Sequence, residues 1–310
     1  MPPGDPVLSV VVAIISDTMT ARAQTDDLAG CLVALQRQVE APSTEIIVPN
    51  ANADGIDALA RRFPEVRFLH VADPAVARRK PGSREHHDVL RAHGLAAARG
   101  TIVALLEDQG RPEPRWCASI VAAHRADAAV IGGAIDNGID RLLNWAVYFC
   151  DFAKYQSPLP AGPSPSASDA NTSYKRVALE SVRALWETSF REVVVNGALV
   201  AAGKGILLSP DIVVQQQRSG LDLRAALAER FVWGRSYAAT RRALLSRPQR
   251  LLYALLSPLL PPLMLWRMAA LAWQRGRHFG KFVTAIPLLV LLTCGWSAGE
   301  CVGYLSPGGR

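Results

Sequence analysis

The sequence predicts an α/β fold, a doubly wound and mostly parallel sheet, with a C-terminal helical region that associates with a membrane. Two observations predict the sheet: short apolar runs recur along residues 7–135, and segments with helical spacing separate them. A third observation predicts the helical region, because residues 251–273 and 282–305 are long apolar stretches. We therefore expect one α/β domain over residues 1–220 and a membrane-associated region over residues 221–310.

The predicted elements follow from apolar spacing. Residues 7–15 form a β-branched run typical of a buried parallel strand, and residues 24–39 place Leu28, Leu32 and Leu35 on one side of a helix. Further strands are predicted at residues 45–50, 66–71, 101–106, 129–135, 205–208 and 211–215. Further helices are predicted at residues 54–63, 84–100 and 177–186, and another begins at residue 190. Gly100 is expected to close the helix at residues 84–100. Residues 221–245 are expected to form a basic amphipathic helix.

Polar residues follow two of the predicted strands. The run TIVALL ends in Glu107-Asp108-Gln109, and the run EIIVP ends in Asn50. Ligands of doubly wound sheets bind outside the carboxyl ends of the strands, where a ligand or cation can complete the solvation of these side chains. The alternative is a solvated turn in which Asp108 caps the helix after Pro114. Position alone leaves both interpretations open.

The segment SPLPAGPSPSASDANTSYKR, residues 157–176, has an unusual composition rich in Pro, Ser, Ala and Gly. No strand or helix pattern crosses it. Structureless segments of this length in a compact domain are usually functional lids or binding loops. We therefore expect a mobile lid or a binding loop here.

The distribution of charge favours a membrane partner over nucleic acid. The chain has 34 Lys and Arg against 27 Asp and Glu, a net charge of +7. Residues 221–310 hold 12 basic against 3 acidic residues, so the basic excess belongs to the apolar tail. The five cysteines show no CxxC pair and no metal-ligand spacing, which indicates reduced thiols. No signal peptide is visible, so we expect the first domain to face the cytoplasm.

The order of these motifs resembles the inverting family 2 glycosyltransferases. The resemblance covers residues 7–240: VLSVVVAI, EIIV with a polar turn, Arg91-x-x-Gly94 followed by AAARG, a strand ending in acids, then P-x-x-x-W. It implies the nucleotide-diphospho-sugar transferase (A-type) fold and transfer of a sugar from a nucleotide diphosphate. In the family, acids at the strand end form a D-x-D element that holds a divalent cation on the diphosphate.

The resemblance assigns roles to residues of this chain. It places Mg²⁺ or Mn²⁺ on Glu107 and Gln109, with Gln109 standing where the family has an acid. The small-residue turn beside the donor sugar matches Asn171, followed by Tyr174 and Lys175. The residues it implies for donor binding are Asn50, Arg91, Glu107, Asp108, Asn171, Arg230 and Trp233. The alternative for Arg91 is a solvated helix arginine.

An inverting transfer needs one carboxylate to take the proton of the acceptor hydroxyl. The resemblance places this base at Glu192; the alternative is an ordinary first-turn acid of a helix. In ERFVWGR, Val232 replaces the arginine of the processive synthases, which favours a single-transfer enzyme. Together with Asn50, Gln109 and Glu192, this departure keeps open a non-catalytic glycosyltransferase-like binding protein. A membrane scaffold without a sugar site is a third reading.

The tail leaves its membrane topology open. Two spanning helices would put Arg275, Arg277 and Lys281 outside, against the positive-inside rule, and prolines interrupt residues 251–273. We therefore expect residues 251–273 to lie in the interface or re-enter and residues 282–305 to span, with a two-helix hairpin as the alternative. The expected location is the cytoplasmic (inner) membrane with the catalytic domain facing the cytoplasm. The expected partners are a nucleotide-diphospho-sugar and a lipid-linked or glycan acceptor, with no nucleic acid.

Overall fold

A computed structural model describes residues 4–18, 25–51, 55–77, 83–242 and 245–306. The chain forms two compact units. The sheet unit comprises Met1–Gly138 and Ser157–Arg218, and the helical unit comprises Ile139–Gln156 and Ser219–Arg310. Ile139–Gln156 therefore clusters with the C-terminal helices, although it lies within the first 220 residues.

The described residues form nine strands and twelve α-helices. The strands are β1 Leu8–Ala13, β2 Thr44–Asn50, β3 Arg67–His70, β4 Ile102–Glu107, β5 Gly110–Pro112, β6 Val130–Asn137, β7 Gly162–Pro163, β8 Asn171–Lys175 and β9 Ile206–Gln216. The helices of the sheet unit are α1 Thr25–Gln36, α2 Ile56–Arg62, α3 Pro74–Ala77, α4 Arg84–Ala97, α5 Trp116–Ala123, α7 Arg176–Glu180 and α8 Glu192–Ala201. Those of the helical unit are α6 Leu142–Phe152, α9 Leu223–Arg242, α10 Arg247–Leu256, α11 Leu260–Arg275 and α12 Phe279–Leu305.

All nine strands join one mixed sheet. Its order is β3-β2-β1-β4-β8-β6-β9-β5, and β7 pairs with β9. The strands β3, β2, β1 and β4 are parallel, β8 runs antiparallel to β4 and β6, and β6 and β9 are parallel. The predicted fold class, an α/β fold with a mostly parallel sheet and C-terminal helices, is confirmed.

Both faces of the central strands are buried, which explains their continuous apolar sequences. Val10 and Val12 pack into one core cluster with residues of α1 and α5. Val11, which points to the other face, packs into a second cluster with residues of α4 and α8. Because successive side chains of a strand alternate between faces and helices cover both sides, every position of β1 is buried, including Ser9, whose hydroxyl donates to Glu45 Oε1 at 2.6 Å.

The predicted loop at residues 157–176 is wrong for its last part. Residues Asn171–Lys175 form β8 in the middle of the sheet, between β4 and β6. The polar sequence NTSYK does not indicate a buried strand. Its buried polar groups are nevertheless hydrogen-bonded within the protein, since Asn171 Nδ2 donates to the carbonyls of Ala134 and Ile212. The structure therefore provides hydrogen-bond partners that the local sequence does not show.

Two other boundaries differ from the predictions. α4 ends at Ala97, with Ala98 extended, and Gly100 lies beyond it against Ser9, where a Cβ would approach Leu8 C to 2.8 Å. Gly100 is thus needed for a close approach of two backbone segments rather than for closing the helix. The two predicted strands after residue 205 form one irregular strand, β9, which has a register shift opposite Gly133 and Ala134.

Glycines allow α9 and α12 of the helical unit to pack at very short distance. A Cβ at Gly299 would overlap the carbonyl oxygen of Phe231, and one at Gly234 would overlap that of Trp296. A Cβ at Gly303 would lie 2.6 Å from the carbonyl oxygen of Arg235. Small residues at such a crossing let two backbones approach, because no side chain separates them.

This close contact makes a strong prediction for Gly299→Ala. We expect the substitution to destabilise the helical unit by about 2 kcal/mol or more, because the backbone of α9 must move away. Gly280, also in α12, has open space around its Cα. The matched control Gly280→Ala is expected to be neutral or to stabilise by about 0.5–1 kcal/mol. Thermal unfolding of the detergent-solubilised chain, followed by circular dichroism, compares the two; equal effects would contradict the close packing.

Two helical segments of the helical unit are long and apolar enough to cross a membrane: Arg247–Arg275, which joins α10 and α11, and Phe279–Leu305, which is α12. Their most apolar windows are only 22% and 39% buried. By length and composition, the two helices hint weakly at an association with a membrane.

Candidate functional site

The candidate site lies at the carboxyl ends of the central strands. β1 and β4 are adjacent and in register, so that Ala13 lies opposite Glu107. β2 lies on the other side of β1 and ends at Asn50. The polar residues that follow the predicted strands therefore occupy one edge of the sheet, as expected for parallel neighbours.

α4 carries an arginine to this edge. Gly94 faces the sheet, where a Cβ would lie 2.5 Å from Val11 Cγ1 and 3.2 Å from Pro49 Cγ. Its missing side chain lets α4 pack closely on β1 and β2. Arg91 lies three residues earlier on the same side of the helix and is 4% exposed. The sequence Arg91-x-x-Gly94 thus places a guanidinium at the strand ends.

Three carboxylates lie within 3.5 Å of this arginine, and a fourth contacts one of these acids. Arg91 Nη1 lies 3.2 Å from Asp169 Oδ2 and 3.5 Å from Asp88 Oδ1, and Nη2 lies 3.4 Å from Glu107 Oε1. The backbone N–H of Asp169 donates to Glu192 Oε2 at 3.2 Å. We call these five residues the Arg91 cluster: Asp88, Arg91, Glu107, Asp169 and Glu192. Fully ionised, four carboxylates and one guanidinium leave the cluster with an excess of negative charge.

Burial and mutual repulsion raise the pKa values of the acids. Burial, then the charge of Asp169, raises the pKa of Glu107 to about 7 and the pKa of Glu192 to about 8. Burial raises the pKa of Asp88 to about 6, although Arg91 opposes this shift. Burial also disfavours the charge of Arg91, but the surrounding carboxylates outweigh it and raise its pKa. Some carboxyl groups of the cluster therefore remain protonated near neutral pH, and a base or a cation can displace their protons.

Glu107 and Gln109 differ in their surroundings. Glu107 Oε2 accepts a hydrogen bond from Gln216 Nε2 at 3.0 Å, and its other oxygen faces Arg91. Gln109 is buried, and its side-chain oxygen has no hydrogen-bond partner among the described residues. An unsatisfied buried oxygen is costly, so it is a candidate acceptor for a cation or a ligand donor.

Asp108 faces away from the Arg91 cluster. It is fully buried; Oδ1 accepts from the backbone N–H of Ile15 at 3.1 Å, and Oδ2 accepts from the N–H of Ser16 at 3.3 Å and from its hydroxyl. The alternative in which Asp108 caps the helix after Pro114 is wrong, since α5 begins without a side-chain cap. Of the two adjacent carboxylates, Glu107 belongs to the cluster and Asp108 fixes the loop after β1.

This role predicts the effect of Asp108→Asn. An amide cannot accept from both N–H groups and the hydroxyl, so we expect a loss of about 1–3 kcal/mol in the free energy of unfolding. Urea denaturation at pH 7 measures it. Asp57 is exposed on α2, and Asp57→Asn is expected to change stability by less than about 0.5 kcal/mol. Similar effects of the two substitutions would contradict the role of Asp108.

Asn50 and Asn171 are both used within the sheet. Asn50 Nδ2 donates to the carbonyls of Val48 at 3.4 Å and Leu69 at 3.3 Å. Asn171 Oδ1 accepts from Trp116 Nε1 at 2.9 Å, while its amide donates to two strand carbonyls. The structure thus assigns these amides to the scaffold of the site.

Tyr174 and Lys175, the other residues of the matched turn, also contact protein groups. The Tyr174 hydroxyl is buried and donates to Asn196 Oδ1 at 3.0 Å. Lys175 Nζ donates to the carbonyl of Ala126 at 2.7 Å. The residue of this segment that joins the Arg91 cluster is Asp169, which precedes the matched turn.

Arg230 and Trp233 belong to the helical unit. Arg230 is buried and donates two hydrogen bonds to Asp151, Nη1 to Oδ1 at 2.6 Å and Nη2 to Oδ2 at 2.9 Å. Its guanidinium also lies over the Trp233 ring, 4.7 Å from the centroid. This bidentate, stacked arrangement is typical of an arginine that fixes helices.

Sequence reasoning missed Asp88 and Asp169. Asp88 lies one helical turn before Arg91, and the i, i+3 spacing was a usable signal. Asp169 stands within the segment ASDANTSYKR, but only the tertiary structure shows that it reaches Arg91 and Glu192. A cavity of about 470 Å³ lies away from the Arg91 cluster, at the amino end of β2, and is lined by Thr44, Ile46 and Cys117 among others.

The resemblance implies a hard divalent cation, which prefers oxygen ligands. Among the described residues no three His, Cys, Asp or Glu side chains converge as metal ligands. Mg²⁺ and Mn²⁺ on nucleotide diphosphates are usually held by one or two carboxylates, with phosphate and water completing the shell. Glu107 and the unpartnered oxygen of Gln109 are oxygen ligands of this type.

No protein-family model matches this sequence, and no curated protein matches it significantly. The α/β fold and the Arg91 cluster are therefore the basis for any proposal about function.

Proposed function

We propose that this chain is a membrane-associated inverting glycosyltransferase of the family 2 type, which moves a sugar from a nucleotide-diphospho-sugar to a lipid-linked or glycan acceptor. The observation that carries the proposal is the Arg91 cluster. Three residues assigned from the resemblance, Arg91, Glu107 and Glu192, come from separate parts of the chain and meet at the carboxyl ends of the strands. The alternatives for Arg91 and Glu192, a solvated helix arginine and an ordinary first-turn acid, do not predict that the two residues lie together.

Glu192 has the properties of a general base in this scheme. It begins α8, is half-buried, and its carboxylate accepts the N–H of Asp169. Burial and the charge of Asp169 raise its pKa to about 8, so that its ionised form is a stronger base than an ordinary carboxylate. A base poised near the working pH is well matched to removing a hydroxyl proton.

The excess of negative charge in the Arg91 cluster determines how a nucleotide-sugar donor can bind. Even with the exposed Arg191, which lies 3.9 Å from Asp88 Oδ2, the ionised carboxylates outnumber the arginines beside them and oppose binding of a bare diphosphate. A divalent cation held by Glu107 and Gln109 would supply positive charge to the leaving nucleotide diphosphate. Arg91 holds Glu107 and Asp169 in position. We therefore expect donor binding to require the cation.

The test is turnover of nucleotide sugars by the full-length chain in detergent. A panel of UDP- and GDP-sugars is incubated with Mn²⁺ or Mg²⁺ and a bacterial membrane lipid extract as acceptor source, and release of the nucleotide is measured. We expect metal-dependent release with one donor, and a product whose anomeric configuration is inverted. A product with retained configuration would contradict an inverting mechanism.

A non-catalytic binding protein is the second candidate, and specific observations favour it. Gln109 replaces an acid, and the Asn50 amide is bound to backbone carbonyls. This candidate predicts nucleotide binding without release of nucleotide from any donor. Binding without turnover across the panel would therefore replace the transferase proposal.

A further inference from the structure

The helical unit exposes many large apolar side chains. In α10, α11 and the short turn between them the exposed residues are Leu251, Leu252, Leu255, Leu259, Trp266 and Trp273, of which Leu255 is 77% exposed and Trp266 is 67% exposed. On α12, Val283, Ile286, Val290 and Leu291 are also exposed. Large exposed apolar surfaces indicate an interaction site.

These helices form an antiparallel hairpin. The rings of Tyr253 and Tyr304 stack with centroids 5.5 Å apart, and Ser297 Oγ donates to the Ser257 carbonyl at 2.6 Å. Near the turn, Trp273 and Phe279 pack edge to face at 5.0 Å. α10 and α11 therefore run alongside α12 over most of its length, which is about 40 Å at 1.5 Å per residue.

The other side of α12 packs against α6 and α9. At its N-terminal end, Lys281 binds Asp140 at 2.6 Å, and this pair is exposed. At its C-terminal end, Arg241 donates to the Tyr304 hydroxyl at 3.3 Å. At the same end, the backbone of α9 lies against Gly299 and Gly303, and α9 carries the exposed Arg235. Charged groups therefore lie beside both ends of α12, while apolar residues of α12 between these ends pack in one cluster with residues of α6 such as Trp145 and Phe149.

The charges at the two ends distinguish a hairpin that lies on a bilayer from one that crosses it. A crossing hairpin would place one basic end on the outer side, either the turn with Arg275, Arg277 and Lys281 or the other end with Arg241, Arg242 and Arg247, against the positive-inside rule. A helix in the interface needs an apolar face on one side and polar neighbours on the other. The arrangement in the helical unit is of the second kind.

The charge around the hairpin indicates which lipids it meets. Residues 247–281 contain six Lys and Arg and no Asp or Glu. Arg247, Arg267 and Arg277 are exposed. Basic residues beside an apolar surface are attracted to anionic headgroups.

We propose that the hairpin of α10, α11 and α12 lies within one leaflet of an anionic membrane, with its apolar side in the acyl chains, and does not cross the bilayer. The proposal differs from our expectation that residues 282–305 span. It rests on the membrane association in the proposed function but does not involve sugar transfer, so its tests do not measure enzyme activity.

The first test is the side from which cysteine reporters react. Gln274→Cys near the turn and Ser306→Cys after α12 are compared with Arg37→Cys in the sheet unit, each with Cys294→Ser. Right-side-out and inverted membrane vesicles from expressing cells are treated with an impermeant maleimide. We expect both hairpin reporters to react from the face of Arg37→Cys, or to be protected until detergent is added. Reaction of either from the opposite face, or recovery of the chain in the soluble fraction, would overturn the proposal.

The second test identifies the lipid. The purified chain is sedimented with vesicles of phosphatidylcholine alone or with added phosphatidylglycerol. We expect about tenfold tighter binding to the anionic vesicles, reduced at high salt. The double substitution Leu255→Ser and Trp266→Ser is expected to weaken binding by about tenfold or more. Val177→Ser, at a residue that is 76% exposed in the sheet unit, is the matched control. Equal binding by all three proteins, or no preference for anionic vesicles, would contradict the proposal.

Discussion

Glu192→Gln is expected to lower the rate of sugar transfer by about 10²–10⁴-fold while leaving nucleotide binding within about twofold of the parent. Glutamine keeps the shape of the side chain and can still accept the N–H of Asp169, which is 3.2 Å from Glu192 Oε2 in the parent. It cannot take a proton from an acceptor hydroxyl. Transfer assays at saturating donor, with binding measured separately, distinguish loss of chemistry from loss of binding.

The pH dependence of transfer provides an independent check. Since burial and Asp169 raise the pKa of Glu192 to about 8, the base is ionised only as the pH rises through that value. We expect the parent rate to increase with pH up to about 8 and then level off. The residual rate of Glu192→Gln should lack this rise.

Glu187 offers the matched control. It is exposed, lies before α8 and pairs with Arg183 at 3.7 Å. Glu187→Gln is expected to retain the parent rate and its pH profile. A Glu192→Gln protein with parental turnover would eliminate Glu192 as the base, whereas an equal loss in Glu187→Gln would indicate a general effect of charge.

Arg91→Met is expected to cost about 3–5 kcal/mol of unfolding free energy at pH 8 and to abolish nucleotide binding. The substitution keeps an apolar stem but leaves Asp88, Glu107 and Asp169 without their shared buried cation, which lies within 3.2 to 3.5 Å of each. Repulsion among the remaining carboxylates then opposes folding.

The loss should depend on pH in a defined direction. A carboxyl whose pKa is higher in the folded chain than in the unfolded chain contributes stability below its unfolded pKa and loses it as the pH rises through the folded value. In the parent the folded values are about 6 for Asp88, 7 for Glu107 and 8 for Glu192. We therefore expect stability to fall between pH 5 and pH 8, and to fall more steeply in Arg91→Met.

Arg99→Met is the control for removing an arginine. Arg99 pairs with Glu45 at 3.1 Å, but its side chain is 61% exposed. Water screens this pair, and we expect a loss below about 1 kcal/mol with little dependence on pH. Denaturant unfolding at pH 5 and pH 8 compares the variants. A pH-independent loss in Arg91→Met would show that the acids of the cluster are not coupled to Arg91.

The fold could be predicted where burial produces a recognisable pattern in the local sequence. β1 and β4 are continuous apolar runs because helices cover both faces, and such runs predict parallel strands without knowledge of the tertiary structure. β8 could not be predicted, since its side chains are polar and their partners come from β6, β9 and α5. Its strand character depends on contacts made far along the chain.

The candidate site could likewise be predicted only in part. Glu107 was predicted from an apolar run that ends in acids, and Arg91 and Glu192 from the resemblance. Asp169 lies in a segment whose composition indicates a loop, and its part in the site depends on α4 bringing Arg91 to it. Asn50 and Asn171 match the pattern of ligand-binding residues, but the sheet uses their amides. Which polar residues remain for a ligand is decided by tertiary contacts.

The central claim, that the Arg91 cluster binds a nucleotide diphosphate through a divalent cation, is tested most directly by calorimetric titration of UDP and GDP into the detergent-solubilised chain with and without Mn²⁺. The parent is compared with Glu107→Ala and with Glu113→Ala, which changes an exposed acid of the same region. We predict micromolar binding of one nucleotide that requires Mn²⁺, persists in Glu113→Ala and is lost in Glu107→Ala. Absence of binding to both nucleotides in the presence of Mn²⁺ would contradict the claim.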